Sequence, residues 1–367
     1  MKTMSIIRGL AVIAVVLGHA IYWVDLGQAQ LAGVPGVEWA SNADLLQSPT
    51  YHIMKIVYVL TLFDVPVFLF ASGLFMAYAQ MSNKGLNYSN IGKWIKALIL
   101  PFIIWVTAHS LVSWLPIVII PQPGAAGLIE RFLGALNLAY FVPLVVQFYL
   151  MAPWICHLAQ KNWRILLLGS VLIQMTNSIV WYLPRLGIPV GSTIEGFSRI
   201  SMFFFWAWAI YFPLGVVCGL NLNKIKPWLD KNRIVLTILV ILTACLMVLE
   251  METLGRFPEM LDPSQFSLTV IIYAIACIFF LLSVGERYLP YQRQLVDIGL
   301  KSLGIYLAHP LILLTVFRIV KYTVPALVYI PYLYLPLLFI CGFGLPYWLG
   351  VFLSKRSNKV YYHLLFG

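Results

Sequence analysis

"SIIRGLAVIAVVLGHA" occupies residues 5–20. The run is apolar and of helix length, yet it carries a guanidinium at Arg8 and an imidazole at His19. An α-helix turns about 100° and rises about 1.5 Å per residue. From Arg8 to His19 that amounts to three turns plus about 20°, so both side chains project from one face, about 16 Å apart along the axis. The stretch reads as a first membrane-spanning helix with two polar groups placed in register.

The rest of the chain demands the same solvent. Of its 367 residues, 61% are hydrophobic and only 10% charged, where a soluble domain runs to about half apolar and about a quarter charged. So much apolar surface needs lipid around it. The 12 Trp and 20 Tyr suit side chains anchored at the membrane–water interfaces. A net charge of +11 would suit nucleic acid if clustered, but the basic residues lie in short loops between apolar runs, which is a topology signal. No nucleic-acid partner is expected. The five cysteines are Cys156, Cys218, Cys245, Cys277 and Cys341, each alone in an apolar segment. That pattern supports neither a disulfide framework nor a zinc site, so no metal is expected.

Marking apolar runs of about 20 residues gives ten candidate spans: 5–24, 52–80, 97–120, 138–159, 164–182, 201–220, 234–253, 266–285, 297–317 and 331–353. Before Asp64 the second is long enough to include an interfacial stretch. On one side of these spans lie 17 basic residues: Lys2, Arg8, Lys84, Lys93, Lys96, Lys161, Arg164, Lys224, Lys226, Lys231, Arg233, Arg287, Arg293, Lys301, Lys355, Arg356 and Lys359. The other side holds 6, namely Arg131, Arg185, Arg199, Arg256, Arg318 and Lys321, with Lys55 inside a span. The positive-inside rule then puts both termini in the cytoplasm. No convincing small-x-small cleavage site follows the first run, so it reads as a retained span rather than a signal peptide. The fold expected is all-α, a polytopic membrane bundle of about ten helices forming a single domain over 1–367.

An ionisable side chain at membrane depth costs roughly 2.5–3.5 kcal/mol on insertion scales, so each one is a candidate for function. His19 and Arg8 offer a titratable base and an anion-binding group on one face; the plainer readings are a bonded core histidine and a positive-inside anchor. His309 lies in "LGIYLAHPLIL", where Pro310 loosens the backbone hydrogen bonding around it; a kink with a satisfied histidine is the alternative. "DVPVFLFASGLF", 64–75, carries Asp64 and the small pair Ser72-Gly73, which permits close helix approach. "GKWIKALILP", 92–101, places Lys93 and Lys96 one turn apart at a cytoplasmic mouth, for topology or for phosphate. Gln147 sits mid-span in "YFVPLVVQFYLMAP", 140–153. His109 is isolated among apolar residues and reads as structural.

Taken in order, these motifs resemble the integral-membrane acyltransferase-3 family, whose members move acyl groups onto extracytoplasmic carbohydrates. Arg8-Gly9 and His19 are similar to that family's opening span. Pro66, Phe68, Phe70, Ser72 and Gly73 are similar to its proline–phenylalanine–Ser-Gly stretch, and Lys93 and Lys96 stand where arginines are common. "QFYLMAP" resembles its fourth-span motif with Gln147 in place of a frequent glutamate, which excludes a catalytic carboxylate there. Asp64 stands where relatives often have a histidine. "YFPLGVVCG", 211–219, and "SLGIYLAHP", 302–310, are similar to later landmarks. The resemblance implies an acyl-coenzyme A co-substrate, acetyl ahead of succinyl, and a glycan or lipid-linked sugar acceptor, in a multi-pass protein of the bacterial plasma membrane. It implies His19, His309 and Asp64 as catalytic residues, and Arg8, Lys93, Lys96, Tyr306, Ser72 and Gln147 as residues binding the coenzyme. Membrane lipid is a partner, and the Trp-rich spans are compatible with a homodimer. A polysaccharide or lipid-linked-sugar transporter or flippase remains the alternative, as does a structural partner of a synthase complex.

Overall fold

The computed structural model describes residues 2–31, 49–82, 85–114, 128–192, 194, 196, 200–254, 265–355 and 358–367. Of the basic residues used for orientation, Lys84, Arg199, Arg256 and Arg356 lie outside the described residues. Every described regular element is helical. In chain order the helices are α1 Lys2–Leu31, α2 Pro49–Thr61, α3 Asp64–Met81, α4 Tyr88–Trp114, α5 Leu128–Leu138, α6 Phe141–Arg185, α7 Tyr211–Leu220, α8 Leu222–Lys231, α9 Arg233–Leu254, α10 Leu268–Tyr288, α11 Gln292–Leu300, α12 Ser302–Thr323, α13 Pro331–Phe339, α14 Leu345–Leu353 and α15 Lys359–Phe366. Short 3-10 turns cover Ser201–Phe203, Phe205–Trp208 and Pro325–Tyr329, and a π-helical turn at Ile340–Gly344 joins α13 to α14.

Among the described residues, seven helical stretches are long and apolar enough to cross a membrane: Lys2–Gln28, Pro49–Met81, Tyr88–Ser113, Phe141–Pro184, Arg233–Thr253, Ser302–Thr323 and Pro331–Leu353. Tyr211–Leu220 and Leu268–Val284 are apolar but shorter. The spans expected at 138–159 and 164–182 fall within the single run of α6. That run breaks at Asn162, whose backbone is extended (φ −155°, ψ 82°). The Asn162 Oδ1 accepts from the Ile165 backbone N–H at 3.2 Å, which is how an N-cap starts a new helix. Two helices therefore abut at Asn162 without a loop.

The chain groups into two interleaved compact units. The first comprises Met1–Ala11, Leu62–Ile95 and Tyr140–Gly299. Within it α3 and α7 approach closely. A Cβ on Gly73 would collide with the Phe212 carbonyl oxygen, and one on Gly215 would collide with that of Phe70. The glycines are reciprocal, each admitting the other helix's backbone, as small residues do in membrane helix pairs. The start of α1 meets α11 in the same way, Gly9 against the Leu295 carbonyl and Gly299 against that of Ser5.

The second unit comprises Val12–Thr61, Lys96–Ala139 and Leu300–Gly367. Here the later part of α1 packs on α12 and α13, with Trp23 against Phe317 at 5.1 Å between ring centroids. Gln28 fastens the far end of α1 by donating to the Val328 carbonyl at 3.2 Å. The ring of Phe366 fills the space over Gly304 of α12 and Gly350 of α14. The Trp105 indole donates to the Leu365 carbonyl at 3.0 Å, fixing α15 to α4.

Candidate functional site

In the second unit α1 and α12 bring His19 and His309 together although they are 290 residues apart in sequence. The His19 Nδ1 lies 2.6 Å from the His309 Nε2. Their rings are 17° from parallel with centroids 4.9 Å apart. That separation is close to one short hydrogen bond plus two ring radii, so the rings meet edge to edge, with the lone pair in plane. His309 is fully buried and His19 partly so. Tyr306, one turn before His309, packs against it at 5.8 Å between ring centroids and donates its hydroxyl to the Leu138 carbonyl at 3.3 Å.

The other nitrogen of His309 decides the protonation pattern. Its Nδ1 lies 3.3 Å from the Ile305 carbonyl oxygen, and the ring also bonds the Tyr306 carbonyl. Proline has no N–H, so Pro310 cannot supply the bond a helix would return to the carbonyl four residues earlier, which is that of Tyr306. The His309 ring takes up the freed carbonyl. A carbonyl only accepts, so Nδ1 of His309 carries the proton and a neutral ring then has a bare Nε2. That bare nitrogen accepts from the Nδ1–H of His19, which leaves the His19 Nε2 with an unshared lone pair. The arrangement yields one oriented imidazole base whose partner is another histidine.

α4 adds a third histidine, His109, within electrostatic reach of His309 and of Arg318. Arg318 donates from Nη1 to the Val112 carbonyl at 2.6 Å and from Nη2 to the Ser113 carbonyl at 2.8 Å.

In the first unit, α1, α3 and α6 assemble Arg8, Ser72 and Tyr149. The Tyr149 hydroxyl is bonded to Ser72 and lies in the field of the Arg8 guanidinium. Tyr149 escaped sequence reasoning, although it stands two residues after Gln147; an aromatic residue in an apolar run carries no signal by itself. The Gln147 amide is engaged by backbone on both sides. It donates to the carbonyls of Phe203 at 2.6 Å and Pro143 at 3.2 Å, and accepts from the Phe205 N–H at 3.2 Å. Gln147 thereby seats the 3-10 turns on α6.

Asp64 opens α3. Its buried carboxylate accepts from the Val65 N–H at 2.5 Å, where an acid favours the helix dipole, and from the Gln265 side chain at 3.2 Å. Gln265 in turn accepts from the Tyr140 hydroxyl at 3.0 Å. Lys93 and Lys96 are both exposed on α4. Of the expected site residues, His19, His309 and Tyr306 are thus brought together in one unit, and Arg8 and Ser72 in the other.

The model of a family described as an acyltransferase domain matches residues 2–354 of the chain. No curated protein and no solved structure matches it.

Proposed function

This chain belongs to the acyltransferase-3 family, and from that premise we propose that it moves an acyl group, acetyl ahead of succinyl, from cytoplasmic acyl-coenzyme A to a hydroxyl of an extracytoplasmic glycan. The observation that carries the reading is the 2.6 Å bond between His19 and His309, which leaves the His19 Nε2 as a directed base. His19 takes the proton of the acceptor hydroxyl as its oxygen attacks the thioester carbonyl. The carbon–sulfur bond breaks, and the departing thiolate receives that proton from the His19 imidazolium. Acyl ester and free thiol are the products. His309 fixes the orientation of His19, and Tyr306 packs behind it.

Arg8 binds the phosphates of the coenzyme, since a guanidinium offers several donors in a planar fork matched to phosphate. Tyr149 and Ser72, bonded to each other beside it, complete that contact, and the exposed Lys93 and Lys96 attract the coenzyme from the cytoplasm. Ten crossings with both termini in the cytoplasm belong to the same proposal. The break at Asn162 divides one long stretch into two, two shorter apolar helices supply two more, and the basic residues fall 17 against 6. Asp64 keeps a supporting role at the head of α3. A transport function has no observation in its favour beyond polar groups at depth.

The test is acetyl transfer from labelled acetyl-coenzyme A to surface glycan in membrane vesicles. His19→Ala is expected to abolish transfer while keeping coenzyme-dependent thermal stabilisation, which reaches about 2.7 kcal/mol at a hundredfold excess over Kd. Near-normal transfer by a folded His19→Ala protein sinks the assignment. Mass spectrometry of surface glycans with and without the gene identifies the acceptor.

A further inference from the structure

His109 is the group that the mechanism above leaves unused. Both of its ring nitrogens are buried and have no hydrogen-bond partner among the described residues. Buried polar atoms are almost always paired, and an unpaired one calls for an explanation. Here the surroundings give one: the ring stands within electrostatic reach of His309, whose bond to His19 defines the reacting centre. Its position is also built rather than incidental. The last carbonyls of a helix have no donor within it, and at the end of α4 Arg318 supplies two, to Val112 and Ser113. That clamp holds the turn from which His109 projects.

The chemistry of the missing partner follows from the imidazole. A neutral ring presents one donor and one acceptor on opposite edges, so it needs two groups, one that accepts and one that donates. A phosphate oxygen of the coenzyme only accepts and leaves the second nitrogen bare. Hydroxyl groups do both. Building on the acyltransferase reading and its glycan acceptor, we propose that His109 binds that acceptor through hydroxyls other than the one acylated. Recognition of the acceptor then lies on α4 and activation of its hydroxyl on α1 and α12, all within one unit.

The experiment measures thiol release from acetyl-coenzyme A by purified protein with two probe acceptors, ethanol and methyl glucoside. Wild-type protein is expected to favour methyl glucoside. His109→Phe keeps a ring without nitrogens and is expected to lose about tenfold of that preference, the size of one or two neutral hydrogen bonds, with its rate on ethanol unchanged. His109→Gln keeps a donor and an acceptor, and its preference is expected to stay within about threefold of wild type. Full loss in His109→Gln, no loss in His109→Phe, or wild-type protein indifferent between the probes overturns the role of His109 alone. Wild-type protein that releases thiol with neither probe overturns the acyltransferase reading on which the role rests.

Discussion

His19 and His309 meet edge to edge, Nδ1 to Nε2 at 2.6 Å, and the carbonyls behind His309 determine which of the two donates. In this pair His309 does what a carboxylate does behind many catalytic histidines, but without adding a charge at membrane depth, where a charge is costly.

Replacement of His309 tests that role. In His309→Gln the side-chain oxygen can accept from His19 while its N–H group donates to the Ile305 carbonyl. We expect it to keep a measurable fraction of transfer. His309→Leu should lower kcat by about 100-fold or more, within the usual contribution of acid–base catalysis, with little change in KM for acetyl-coenzyme A. Equal kcat in the two variants contradicts the role.

Arg8 and Tyr149 should behave as coenzyme-binding groups. Arg8→Lys, which loses the planar fork, is expected to raise KM for acetyl-coenzyme A about tenfold. Tyr149→Phe, which removes one neutral hydrogen bond, should raise it about threefold. Neither is expected to alter the ratio of rates on two alcohols, and steady-state kinetics with varied coenzyme decides.

The reciprocal contact of Gly73 and Gly215 leaves no room for a methyl group. Gly73→Ala and Gly215→Ala should each cost about 1–3 kcal/mol, the usual range for overpacking, read as a lower thermal midpoint in detergent. Gly169 has nothing within 4 Å of its would-be Cβ, so Gly169→Ala is the control with no loss.

Gln147 should prove a structural residue. Gln147→Leu strands the Phe203 carbonyl and the Phe205 N–H, at about 1–3 kcal/mol for each one left buried and unpaired. A lower thermal midpoint with kcat per folded molecule preserved is the expected pattern. A selective rise in KM for the coenzyme instead restores it to the binding site.

Much of this architecture is legible in the chain itself. The eleven-residue interval from Arg8 to His19 lies within one uninterrupted helix, because helical periodicity is local. For the second candidate span the sequence offered one span with an interfacial stretch before Asp64, where the structure starts a separate helix with an acid and a proline in its first turn. What the sequence conceals is partnership. Nothing in either neighbourhood says that His19 faces His309, because helix pairing in a membrane is decided by shape and by small residues spread over the chain. The same applies to Tyr149 with Ser72 and to His109, which reads as structural in an apolar run and whose nitrogens have no partner among the described residues. The abutting helices at Asn162 were expected as two spans with a connection, because a single cap leaves little trace beside a basic pair of the kind that marks a loop.

Pro310 sets robustness and chemistry against each other. An alanine there would restore the backbone bond to Tyr306, so Pro310→Ala should make the protein harder to unfold and a poorer catalyst, the compromise often met where a site depends on an interrupted scaffold. A screen for thermostable variants would therefore tend to select the substitution that repairs this helix, and each survivor at position 310 should be assayed for turnover before it is kept.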